Sequence, residues 1–105
     1  MSTTPKNILV LDTMDNVSVT TGAVITVSTA VTVNEHTQAF FVDVQDNDVY
    51  ITFDGSTPSA TVGHILKKDR DYLFYAGMFR TAKMLGKDGT SVVAVTQLNL
   101  SLIHI

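Results

Sequence analysis

Apolar and polar residues alternate with a period of two in several short segments of this chain. Residues 40–45 read FFVDVQ, so Phe40, Val42 and Val44 point to one face while Asp43 points to the other. This alternation predicts half-buried β-strands, because successive side chains of a strand point to opposite faces. Turn signals separate such segments at short intervals, which favours antiparallel neighbours. The sequence therefore predicts an all-β fold: an antiparallel β-sandwich or jelly-roll-like barrel of about seven to nine short strands.

Three segments carry more specific predictions. Alternation over residues 23–28 predicts a strand that contains Ile25 and Val27, and Val31 and Val33 predict another. Residues 76–79 predict a single helical turn. Near the end of the chain, one face of a strand is predicted to carry Val92, Ala94, Leu98, Leu100 and Leu102, and the opposite face Gln97, Asn99 and Ser101.

Length and composition narrow the class of protein. The 105 residues correspond to one domain, and 45% hydrophobic against 16% charged residues is typical of a chain that buries a core. Seven Lys and Arg against ten Asp and Glu argue against nucleic acid as a partner, since phosphate binding draws on clustered positive charge. The lack of cysteine excludes disulfides and thiolate chemistry. No apolar run approaches the roughly 20 residues of a membrane-spanning helix, and the polar N-terminus lacks a signal-peptide core.

The two ends of the chain differ from the middle. Residues 1–15 are predicted to form an N-terminal arm, and residues 16–105 a single β-sandwich domain in which 99–105 are a possible inter-subunit strand extension. Exposed apolar ends are a liability for a monomer, and strand addition to a neighbour would cover them. The candidate partner interface therefore consists of Ile8, Leu9, Val10, Leu11, Leu98, Leu100, Leu102, Ile103 and Ile105.

No catalytic motif is present, and we expect neither an enzyme nor a cofactor. The G-x-S-x-G nucleophile motif is absent, and His36, His64 and His104 lie outside metal-ligand spacing. His64 is predicted to be an ordinary strand residue. The turn around Asp46 also contains carboxylates at 43 and 48, which leaves two interpretations open: a polar hairpin turn, which we favour, or a calcium site.

Residues 54–63 form the most distinctive turn-rich segment, DGSTPSATVG. An Asp side chain can accept hydrogen bonds from backbone N–H groups two or three residues on, Gly can take a positive φ, and Pro fixes φ. These properties predict a rigid loop that satisfies its own hydrogen bonds and requires no ligand. The structural residues of this loop are Asp54, Gly55, Ser56, Thr57, Pro58 and Gly63.

Three segments together resemble small virion proteins of tailed bacteriophages. They are VYITFDGSTPSATVGHIL at 49–66, AGMFRTAKML at 76–85 and SVVAVT at 91–96, and the similarity covers roughly residues 38–98. The resemblance implies a β-sandwich on the outside of a phage particle, as a capsid decoration (cement) protein or the base of a head fibre. It implies no catalytic or ligand residue.

The resemblance also implies partners and a location. The chain is expected to assemble in the bacterial cytoplasm and to bind the phage major capsid protein on the virion surface, bridging adjacent subunits. A homo-oligomer is expected, with a trimer favoured because phage surface proteins occupy three-fold positions. The alternative function is a carbohydrate- or receptor-binding adaptor module of a phage fibre. Against it, Tyr72 and Tyr75 fall on opposite faces of one strand and could not form a single stacking platform with Tyr50.

Overall fold

The computed structural model describes residues 9–10 and 14–99. Within these residues the chain forms nine strands and two short helices. In chain order they are β1 (Leu9–Val10), β2 (Asp15–Val19), β3 (Ile25–Thr26), α1 (Val27–Ala30), β4 (Ala39–Gln45), β5 (Val49–Thr52), β6 (His64–Leu66), β7 (Arg70–Tyr75), α2 (Ala76–Phe79), β8 (Lys83–Gly86) and β9 (Ser91–Asn99).

The strands form two antiparallel sheets that pack face to face. In the five-stranded sheet the order is β1-β9-β4-β7, and β2 pairs with β9 along the same edge as β1. In the four-stranded sheet the order is β3-β8-β5-β6. The predicted all-β sandwich is confirmed, and so is the helical turn at 76–79, which is α2.

The core lies between the two sheets and is built from the inward face of each strand. Phe40 of β4 and Phe79 of α2 are fully buried, and their ring centroids lie 5.0 Å apart. The ring of Phe74 stacks on that of Phe79 at 5.2 Å, which extends the aromatic cluster to β7. Ile51 of β5 and Met84 of β8 are fully buried in the same core cluster. The core thus joins both sheets and α2.

The strand predicted over residues 23–28 ends early, because the chain turns into a helix at Val27. In α1 the Val31 N–H donates to the Val27 carbonyl at 2.8 Å, and the Val27 N–H donates to the Ala82 carbonyl at 3.0 Å. Both valines are buried, since a spacing of four residues places them on one side of a helical turn. No strand forms at Val31 and Val33; both are packed on the core from irregular backbone.

The sequence divided β9 into two faces without identifying the buried one, and the structure buries the face of Gln97 in the core. Val93 and Val95 belong to the core cluster, and Gln97 shares their inward face. Val92, Ala94 and Leu98 share the opposite, outward face, as the alternation predicts. Apolar residues occur on both faces of β9, so alternation alone could not identify the inner one.

Candidate functional site

The loop at residues 52–64 satisfies its own hydrogen bonds through Asp54 and Thr52. One carboxylate oxygen of Asp54, Oδ1, accepts from the Ser56 N–H at 3.0 Å and from the Ser56 hydroxyl at 2.5 Å. The Thr52 hydroxyl donates to the Ser56 carbonyl at 2.5 Å. The Asx turn predicted at Asp54 is therefore present, and Gly55 has the expected positive φ of 88°.

The second half of the loop is fixed by a short bridge and by close packing. The Ser59 N–H donates to the Val62 carbonyl at 3.0 Å, and Pro58 is buried. Gly63 has φ of 104°, and a Cβ at this position would approach the Ile51 carbonyl and lie 2.8 Å from Thr52 Cγ2. Only glycine fits at Gly63, for both conformational and steric reasons. Thr57, the remaining predicted loop residue, is exposed.

The loop borders an open surface pocket of about 340 Å³, which Asp54, Ser56 and His64 line together with Phe53 and Val62. Hydrogen bonds from the hydroxyl and then the N–H of Ser56 lower the pKa of the Asp54 carboxyl. The Ser56 hydroxyl is thus bound to a carboxylate rather than to a histidine. These hydrogen bonds order the loop.

Two carboxylates of the turn at residues 43–48, those of Asp43 and Asp48, form contacts with neighbouring groups of the chain. Asp48 accepts from the Lys68 N–H at 2.9 Å and pairs with Lys67 Nζ at 3.6 Å, and these contacts, led by the N–H bond, lower its pKa. Asp43 accepts from the Gln45 amide at 3.2 Å. Among residues 14–99, no three His, Asp or Glu side chains lie close enough together to hold a metal ion.

The three tyrosines occupy three different surfaces. Tyr72 packs against the core, and its hydroxyl accepts from the Lys67 N–H at 2.8 Å. Tyr75, on the opposite face of β7, is 72% exposed. Tyr50 lies on the outward face of the four-stranded sheet, beside Leu85 and Ile65 in register. These positions do not provide one aromatic platform for a sugar.

The described residues expose an apolar patch on the outward face of the five-stranded sheet. Phe41 of β4 is opposite Leu73 of β7, and Ala39 is opposite Tyr75. Phe41 and Leu73 are 42% and 59% exposed. We name Phe41, Leu73 and Tyr75 the outer apolar patch. Residues 72–75 read YLFY, so apolar groups on both faces of this strand were visible in the sequence, but their contact with Phe41 depends on strand order.

The structure places part of the predicted partner interface at one end of the same sheet. Leu9 is opposite Asn99, and Val10 is opposite Leu98. The apolar run near the N-terminus thus adds a short edge strand to its own sheet. Leu98 is 8% exposed, so little of its side chain is accessible. The remaining predicted interface residues lie outside the described residues: Ile8, Leu11, Leu100, Leu102, Ile103 and Ile105.

Gln97 is a structural residue that the sequence pattern did not reveal. Its side chain is 1% exposed. Its Oε1 accepts from the Asn34 N–H at 2.8 Å and from the Thr37 hydroxyl at 2.7 Å, and its Nε2 donates to the Thr32 carbonyl at 2.9 Å. Gln97 therefore fixes the connection between α1 and β4. The only signal for this role in the sequence is the position of Gln97, which follows the buried valines 93 and 95 on the same face of β9 and lies near the end of that strand.

No protein-family model matches this chain, and neither a curated protein nor a solved structure is similar enough to count as a match. Within the described residues, no helix is long and apolar enough to cross a membrane.

Proposed function

We propose that this chain is a structural protein of a bacteriophage particle, which binds the outer surface of the capsid and bridges adjacent major capsid protein subunits. The resemblance of residues 38–98 to small virion proteins supports the particle assignment. The arrangement of the two chain ends supports an adhesive role, and it is the observation on which the proposal depends.

The segments that precede β1 and follow β9 are attached at one place on the sandwich. Because β1 and β9 are antiparallel and Leu9 is opposite Asn99, residues 1–8 and residues 100–105 are joined to neighbouring strands at the same end of the sheet. Five of the nine predicted interface residues belong to these two segments: Ile8, Leu100, Leu102, Ile103 and Ile105. The attachment points of the two segments are adjacent, so Ile8 and the apolar residues of 100–105 can contact one partner together, for example by strand addition.

The outer apolar patch adjoins this end of the sheet. Leu98 is opposite Ala39, and Ala39 is opposite Tyr75. Tyr75 of the patch therefore lies at the same level of the sheet as the pairing of β1 with β9. Single exposed apolar residues are ordinary on a protein surface, but a contiguous group is typical of an interaction site. In the proposed particle the chain forms a homo-oligomer, with a trimer on three-fold positions of the shell as the first expectation.

Co-sedimentation tests this proposal. Phage particles that lack the chain are mixed with the purified full-length chain, with a variant lacking residues 2–8, or with a variant lacking residues 100–105. Both deletions leave the described β1 and β9 in place, and circular dichroism checks that each variant retains its sheet. The matched control is Ile65→Ser in β6, an exposed aliphatic residue on the other sheet.

We expect the full-length chain and the Ile65→Ser control to sediment with the particles and both truncated variants to stay in the supernatant. A full-length chain that never sediments with particles contradicts the proposed function. Binding by both truncated variants at the level of the full-length chain contradicts the assignment of the binding surface to the chain ends.

A further inference from the structure

Strand β7 has an open edge. It pairs with β4, and no other described strand pairs with it. The Ala76 N–H donates to the Gln38 carbonyl at 2.9 Å, which continues the β4–β7 register and identifies the residues that face β4. Since backbone groups alternate in direction along a strand, the N–H and C=O groups of Asp71, Leu73 and Tyr75 point away from β4, towards the open edge.

This edge is less protected than the other edges of the sandwich. The edge strands β3 and β6 are two and three residues long, and short edges pair poorly. The outward side chains of β2 are the polar residues Asn16 and Ser18. By contrast, β7 has six residues with no proline, and of its three outward side chains only Asp71 is charged, while those at 73 and 75 are large, apolar and mostly exposed.

We propose that β7 is the docking edge for β7 of a second copy of this chain. Antiparallel pairing around a two-fold axis at Leu73 places Leu73 opposite Leu73 of the partner subunit, and Asp71 opposite the partner's Tyr75. The open backbone groups of 71, 73 and 75 then all face each other, so three residue pairs form hydrogen bonds across the axis. The result is one continuous sheet through both copies.

The side chains agree with this register. Phe41 and Leu73 are neighbours in one copy, so the axis generates a continuous apolar row of two phenylalanines and two leucines. Directly opposed apolar side chains stabilise an antiparallel pair, whereas directly opposed like charges destabilise it. Each Asp71 is opposite a tyrosine, so the register opposes no two carboxylates. These features favour a second copy over an unrelated strand, because an unrelated strand would need an apolar residue opposite Leu73 and no carboxylate opposite Asp71.

The inference gives the homo-oligomer as a two-fold dimer in place of the trimer expected from the resemblance, and it does not depend on the phage assignment. A strand edge is complementary to itself and gives a two-fold dimer, whereas a ring of three requires two different surfaces on each copy. The pairing is therefore measured on the purified chain alone, with no particle present. Its failure leaves the proposed function intact, and a failure of particle binding leaves the dimer intact.

Two experiments test the pairing. Sedimentation equilibrium should give the wild-type chain a mass of twice 11.4 kDa at high concentration. Leu73→Lys, an exposed substitution, should raise the dimer dissociation constant about tenfold or more, because like charges then oppose each other at the axis. The matched control Ile65→Lys, on the edge strand of the other sheet, should leave the constant unchanged. A wild-type chain that stays monomeric, or an equal effect of the two lysines, overturns the proposal.

Because the chain has no cysteine, a single introduced thiol reports the contact directly. The two copies of residue 73 form a hydrogen-bonded pair in the proposed register, and the Cα atoms of such a pair lie about 5.5 Å apart, which a disulfide can bridge. Mild oxidation should convert Leu73→Cys into a covalent dimer, while Ser18→Cys on the β2 edge should stay monomeric. Equal cross-linking of both variants, or none at position 73, overturns the proposed register.

Discussion

Replacement of Gln97 by leucine tests how the sandwich holds the connection between α1 and β4. The substitution keeps a similar side-chain volume but removes three hydrogen bonds, to Asn34, Thr37 and Thr32. Thr37 is 6% exposed, so its hydroxyl loses its partner without access to water, while Thr32 is exposed and can bind water instead. An unsatisfied buried group costs about 1–3 kcal/mol, and added apolar burial offsets part of the loss, so we expect Gln97→Leu to lower the free energy of unfolding by about 2–3 kcal/mol.

Urea denaturation followed by circular dichroism measures this change, since the chain has no tryptophan. With a slope of about 1.5 kcal/mol per molar urea, the midpoint should fall by roughly 1.3–2 M. The matched control is Gln45→Leu, an exposed glutamine on β4, which should change the stability by less than about 0.5 kcal/mol. If Gln97→Leu is as stable as the wild type, the three hydrogen bonds do not have the structural role assigned to them.

Three further predictions concern the loop, the core and the pH dependence. Gly63→Ala should destabilise the chain by about 2–4 kcal/mol because its φ is 104° and its Cβ position is occupied, whereas Gly22→Ala, with no atom within 4 Å, should be neutral in the same urea assay. Phe79→Ala should lower the free energy of unfolding by about 3–5 kcal/mol in thermal or urea unfolding, because the Phe79 ring contacts those of Phe40 and Phe74 and its removal leaves a cavity. A loss below about 1 kcal/mol would contradict this packing. NMR titration should give Asp54 a pKa below its ordinary value of about 3.9, so its contribution to stability is present above that pH and is lost as the pH falls through the folded-state pKa. Asp54→Asn should remove this part of the pH dependence of stability. A pKa of Asp54 at or above the ordinary value would refute the hydrogen bonds from Ser56.

Alternation predicted the strands that have one polar face. In β4 the inward residues Phe40 and Val44 are separated by positions such as Asp43, and the structure buries the apolar set as expected. Alternation did not show which face of β9 is buried, because valines occur on both faces and the buried polar residue, Gln97, resembles a surface residue. Val27 and Val31 are compatible with strand and helix alike, because a spacing of four residues returns to the same face in both.

The loop could be predicted more closely than the surface. The behaviour of Asp54 and Gly55 depends on neighbours within two residues, so the local sequence contains the necessary information. The outer apolar patch depends on the order of strands, because Phe41 and Leu73 are 32 residues apart in the chain and meet only when β4 pairs with β7. Such long-range pairing is not encoded in a two-residue pattern, so the sequence showed the apolar side chains but not the surface they form.

Electron cryo-microscopy of phage particles assembled with and without the chain tests the central claim, that this sandwich adheres to a capsid. We expect a difference density on the outer surface of the shell, in contact with at least two neighbouring capsid subunits, into which the two-sheet sandwich fits with the β1–β9 end towards the shell. Identical maps for both particle preparations, at saturating concentrations of the chain, would contradict the account.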